Sequence, residues 1–191
     1  LPWAYINGTE FASYIPYFSS GGLTAGGLGA LNTVGYAGYN ASTLPTASAA
    51  EQNIRLTGPG TVPSVGYTLN SLNLVGVGLS FINANDVLSL ASGALLKSGT
   101  AANIGASVES GSLTAVGDGT LVPLYVYNNA NNLTINSRIV DTLQGGSVQL
   151  VLGGPANVPI TLASGSNSYS AGTVVNNGSL NLAATGRLPA G

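Results

Sequence analysis

From about residue 51 onward, apolar residues come in pairs separated by one spacer: Leu72/Leu74, Leu88/Leu90, Leu113/Ala115, Leu133/Ile135, Leu150/Leu152, Ile160/Leu162 and Leu180/Leu182. A spacing of two places both members on one face of a strand, so each pair marks a short strand with one buried side. Glycine, asparagine and serine punctuate the pairs, as turns between strands require. Intervals of roughly 20 residues between pairs suit one coil of a β-solenoid, while the shorter step from Leu150 to Ile160 fits two faces of one coil. Helix is predicted to be nearly absent, because glycine recurs too often and few segments repeat apolar residues at the helical period. A hairpin sandwich is the rival arrangement. Asn7-Gly8 and Asn177-Gly178 are the only Asn-Gly pairs available to its turns. Pattern alone leaves the two architectures close. In a solenoid of six to eight coils, strands stacked at ~4.8 Å make a rod of roughly 30 to 40 Å. Leucines fill its interior, and asparagines line its corners with their amides bonded along the axis.

The first fifty residues read differently. They hold Trp3, five of the nine tyrosines (Tyr5, Tyr14, Tyr17, Tyr36 and Tyr39) and the glycine-rich run Gly21-Gly22, Gly26-Gly27 and Gly29, with little alternation. The expected division is an extended aromatic and Gly-rich leader or cap over residues 1–50 and a parallel β-helix over 51–191. Trp3, Tyr5, Phe11, Tyr14 and Tyr17 are the candidate assembly contacts, and the leader is expected to act as a cap, a plug or a strand donated to a neighbouring copy. The glycines make no dinucleotide loop: no strand precedes them and Gly27-Leu28-Gly29-Ala30-Leu31-Asn32 lacks the third glycine.

Near the other end, Asn167-Ser168-Tyr169-Ser170-Ala171-Gly172-Thr173, then Val175-Asn176 and Gly178-Ser179-Leu180, form a strand, a turn and a second strand. This run resembles the autotransporter-associated β-strand repeat, also called the passenger-associated transport repeat, whose pattern is roughly Asn-Thr-Tyr-Thr-Gly-Gly-Thr-x-Val-Asn-x-Gly-Thr-Leu. The clearest departure is Ala171 in place of the first glycine of the pair. The repeat motif here comprises Asn167, Tyr169, Gly172, Thr173, Val175, Gly178, Leu180 and Leu182. The opening run Leu1-Pro2-Trp3-Ala4-Tyr5-Ile6-Asn7-Gly8-Thr9-Glu10-Phe11-Ala12-Ser13-Tyr14 is similar to a segment that recurs in very long bacterial surface proteins built of such repeats. The resemblance implies an all-β, right-handed parallel β-helix with an irregular N-terminal segment, extracellular or at a bacterial cell surface.

Charged residues make up 5% of the chain, hydrophobic residues 45%, and the net charge is −2. Disorder needs the opposite balance, and low charge weakens repulsion between copies. Arg55, Lys97, Arg138 and Arg187 are scattered, so no basic patch offers itself to nucleic acid. With no cysteine, histidine or methionine, no cofactor or metal is expected. The most apolar stretch, Leu69 to Leu96, is interrupted by Asn70, Asn73, Asn83, Asn85 and Asp86, and no transmembrane segment is read there. Without an initiator methionine, the chain is expected to be a processed product or a piece of something longer.

Six acids are present: Glu10, Glu51, Asp86, Glu109, Asp118 and Asp141. Sugar-cleaving β-helices cluster carboxylates on one face, and the best local grouping here is Asp141 near Arg138, which a solvated ion pair explains. Gly117-Asp118-Gly119 is half of a calcium-binding turn that occurs once, so a tight turn is the simpler reading. Serines have no histidine partner for a triad. Tyr125-Val126-Tyr127 offers a small aromatic patch, with one of its two faces expected to be lost to the core or a corner. The expectation is a non-enzymatic, rigid stalk that adheres or self-assembles end to end through open β edges, which template further pairing at both ends unless covered. Its expected partners are copies of itself, adjoining repeats of the same parent chain, or surface glycans. The alternative is a carbohydrate-binding or polysaccharide-cleaving module.

Overall fold

The computed structural model describes residues 1, 3–15, 27–33, 36 and 38–189. Among them every regular element is a strand. The N-terminal part contributes β1 (Tyr5–Ile6), β2 (Glu10–Ile15) and β3 (Gly27–Ala30). The rest winds through successive coils: β4 (Ala49–Leu56) with β5 (Gly60–Val62); β6 (Tyr67–Val75) with β7 (Leu79–Phe81); and β8 (Val87–Ser98) with β9 (Ala102–Ile104). Coil four comprises β10 (Ser112–Ala115), β11 (Val122–Asn128) and β12 (Leu133–Ile135). Coil five comprises β13 (Arg138–Ile139), β14 (Val148–Gly153) and β15 (Pro159–Leu162), and coil six β16 (Thr173–Val175) and β17 (Ser179–Leu182).

All strand pairings after residue 48 are parallel. One sheet of 6 strands runs β17-β15-β12-β9-β7-β5, so each coil contributes one strand to it. The second sheet has 8 strands and folds about β8, whose first half pairs with β10 and second half with β11. This is a parallel β-helix, consistent with the right-handed form that the resemblance implied. Six strands at ~4.8 Å span about 24 Å between first and last, shorter than the roughly 30 to 40 Å expected.

Register shows what the pairs mean. Ile54, Leu72, Leu95, Val126, Leu152 and Val175 stand directly above one another, forming a single column through all coils. Leu88 stacks on Leu113 and Ile160 on Leu180, each one coil apart, as the spacing suggests. Leu72, however, stacks on Leu95 and not Leu88, while Leu113 and Leu133 are two faces of one coil. Coils differ in length because their corner loops do, so equal intervals in sequence are not equal turns in space.

The adjacent column reads Leu56, Leu74, Lys97, Asn128. The last two are polar and fully buried. Lys97 Nζ donates to the Ala130 and Asn131 carbonyls, and Asn128 Nδ2 donates to Asn131 O (2.7 Å) and Pro159 O (2.8 Å). They satisfy the Ala130 and Asn131 carbonyls at the corner. Burial brings the Lys97 pKa down to about 8. Other asparagines bond along the axis as expected: Asn131 Nδ2 reaches Gly99 O and Asn136 Nδ2 reaches Gly105 O, each on the coil below.

The N-terminal residues make an antiparallel sheet, β1-β2-β3. It lies along the flank of the solenoid. Phe11 and Leu31 pack on Ala94 and Leu96, the outward residues of β8. Asn73 Nδ2 donates to Thr9 O and Tyr39 Oη, both at 2.9 Å, and Arg55 pairs with Glu10 at 3.3 Å. Tyr39 is pinned between leader and rod, and burial raises its pKa.

Candidate functional site

Two places on the molecule leave apolar chemistry unfinished. The first is the C-terminal end of the rod. At the N-terminal end the strip 40–44 runs along β4: Asn40 N–H donates to Asn53 O (2.8 Å), Arg55 N–H to Ala41 O (3.0 Å), and Leu44 packs under Leu56 beside Gly60. Ile54, Leu56 and Val62 are 0%, 1% and 0% exposed in consequence. Among the described residues nothing covers coil six in the same way. Val175 and Leu182 occupy the columns of Leu152 and Leu162, facing the interior, and are 46% and 49% exposed. A half-exposed aliphatic side chain leaves roughly 1 kcal/mol of burial unrealised. The outer edges of β16 and β17 also carry unpaired backbone groups, which invite another strand. Of the two ends expected to template pairing unless covered, the N-terminal one is covered along β4 by the strip 40–44, part of the leader.

The repeat-motif residues build this last coil. Tyr169 is fully buried under it, with burial raising its pKa against the Thr173 hydroxyl bond at 2.6 Å. Asn167 Oδ1 accepts from Ile139 N–H (2.8 Å), and its Nδ2 donates to Ser164 O (3.0 Å) and Arg187 O (2.8 Å), clamping the corner. Gly172 (φ 81) and Gly178 (φ 95) take left-handed turn conformations that favour glycine. Thr173, Val175, Leu180 and Leu182 form the two strand segments.

The second place is a cleft of about 130 Å³ on the flank, where the leader meets coils four to six. Trp3 and Tyr5 line it from the leader, Tyr125 and Tyr127 from β11, and Asn176 and Asn177 from the turn after β16. In Tyr125-Val126-Tyr127 it is Val126 that turns inward, so both tyrosines face this cleft. Tyr5 stacks on Tyr127 with ring centroids 3.4 Å apart and planes at 29°. The two ends of the chain whose residues carried the resemblance thus meet in space. Of the other candidate contacts, Phe11 is buried against the chain's own β8, Tyr14 is exposed on β2 opposite Leu28, and Tyr17 lies outside the described residues.

The acids do not converge. Asp141 Oδ1 accepts from Val148 N–H (2.7 Å) and Ser170 N–H (2.9 Å). Burial works against its charge, but these bonds outweigh it and hold the carboxyl below its usual range. Glu109 is held low in the same way by Ser164, Ser166 and Gly165 around it, again against burial. Arg138 donates to Ala84 O at 2.6 Å and does not pair with Asp141, contrary to the local ion pair their spacing suggests. Among the described residues no three carboxylates gather as a metal site would need, and no helix is long and apolar enough to cross a membrane.

The chain matches no family model, no curated protein and no solved structure.

Proposed function

We propose that this chain is a non-catalytic structural segment of a bacterial surface protein or fibre, a rigid stalk whose C-terminal end takes the next coil. The half-exposed, inward-facing Val175 and Leu182 above two unpaired strand edges carry this reading. A further coil, from adjoining repeats or from a second copy, pairs those edges and continues the columns that run from Ile54 to Val175 and from Leu79 to Leu182. The motif shared with the autotransporter-associated repeat supports the surface location, and low charge favours close stacking. Glu109 and Asp141 act as hydrogen-bonded staples at separate corners, which favours a scaffold over a glycan-cleaving groove.

Sedimentation and electron microscopy over rising concentration test this directly. The chain is expected to associate through its open end, and Leu182→Lys to abolish association by placing a charge in the interior column. Rods that never lengthen at any concentration, or association indifferent to Leu182→Lys, would defeat stacking between copies and leave the next coil to adjoining repeats of the same chain.

A further inference from the structure

The flank cleft has the chemistry of a ligand site. Trp3, the one tryptophan of the chain, is 61% exposed there even though an indole has more apolar surface to bury than any other side chain. Tyr127 is fixed by its stack on Tyr5. Beside it the chain carries Gly153, where a Cβ would stand 3.0 Å from Tyr127 Cδ2, so the missing side chain keeps the wall beside the ring hollow. At the mouth, Asn176 has no intramolecular side-chain partner among the described residues. Asn177 uses Oδ1 to accept Gly178 N–H at 2.9 Å, and its Nδ2 donor has no partner among the described residues. No charged side chain lines the cleft.

These features select the occupant. A charged ligand finds no compensating charge, and a wholly apolar one leaves the amides without partners. A pyranose ring presents a face of C–H groups suited to an aromatic wall and a rim of hydroxyls that both donate and accept, as an asparagine amide does. The cleft is well below the roughly 300–1,000 Å³ of sites for drug-sized ligands, which limits it to one ring. Proline-rich peptides also dock against aromatics, but they need a groove several residues long. We propose that this cleft binds a single neutral pyranose, the terminal residue of a glycan. The site is complete within one chain, so it stands whether or not the open end stacks.

Trp3 is the natural probe, since all indole fluorescence comes from the cleft. Full-length protein titrated with methyl glucosides, galactosides, mannosides and N-acetylglucosaminides is expected to show a saturable shift at millimolar concentration for at least one of them. Asn176→Ala and Asn177→Ala should each weaken that binding about tenfold, measured by calorimetry on variants with unchanged circular dichroism. Tyr14→Ala, on the exposed outer face of β2, should leave it unchanged. The proposal is overturned if no sugar of the panel gives a saturable shift, if both asparagine variants bind as wild type, or if only a proline-rich peptide saturates the signal.

Discussion

Ile54 and Val175 stand in the same column of the same sheet, at its two ends. One is 0% exposed and the other 46%. Both are β-branched aliphatics aimed inward. Their difference lies in the neighbour: Ala41 bridges to Ile54 from the strip 40–44, and among the described residues no strand lies above Val175. In a solenoid, burial belongs to the pair of adjacent coils more than to the residue, because each coil supplies half of its neighbour's interior.

The strongest way to sharpen that contrast is to cut a leucine in the middle. Leu150→Ala removes a side chain sandwiched between coils four and six and should cost about 2–5 kcal/mol in denaturant unfolding. Next, Asp141 ties coil six to coil five through Ser170, so Asp141→Ala should cost roughly 1–3 kcal/mol. The same tie responds to acid. Its folded pKa is depressed, so its contribution is present above the ordinary carboxylate pKa and is lost as pH falls through the lower folded value. Hydrogen exchange at a pH below the ordinary carboxylate pKa should therefore open residues 170–182 before the N-terminal coils. If all coils exchange together, the ends are not independent.

At the closed end, the fully buried Tyr67 donates its hydroxyl to Pro45 O at 2.6 Å, and burial pushes its pKa up to about 12. Tyr67→Phe should loosen the covering segment for about 1 kcal/mol, read as faster exchange at residues 40–48. The smallest effect belongs to the open end. Leu182→Ala should cost under about 1 kcal/mol in the monomer, since half of that side chain already meets water. A loss as large as that of Leu150→Ala would mean that something already covers coil six.

The cleft asks the same question of the flank. Its walls come from residues 3–5, 125–127 and 176–177, and they meet only because the antiparallel N-terminal sheet lies across coils one to four. The first fifty residues show little alternation, so that sheet was not legible. Phe11 follows buried Glu10 and precedes buried Ala12, a run set by contacts with the rod and not by a two-residue period. Lys97 and Asn128 were equally hidden. Each stands two residues after a core position, Leu95 and Val126, which is the one signal that places them inside. Their polarity argues the reverse until the carbonyls at 130, 131 and 159 are in view.

Period-two leucine pairs and frequent glycine were sufficient to specify short strands, the absence of helix and an inward face, because those follow from local sterics and side-chain alternation. Which pair lies over which was settled only in three dimensions, where corner loops of unequal length set the stacking of Leu72 on Leu95. The closed and open ends, and the meeting of Trp3 with Asn177, depended likewise on contacts between residues far apart in the chain, and no local pattern encodes them.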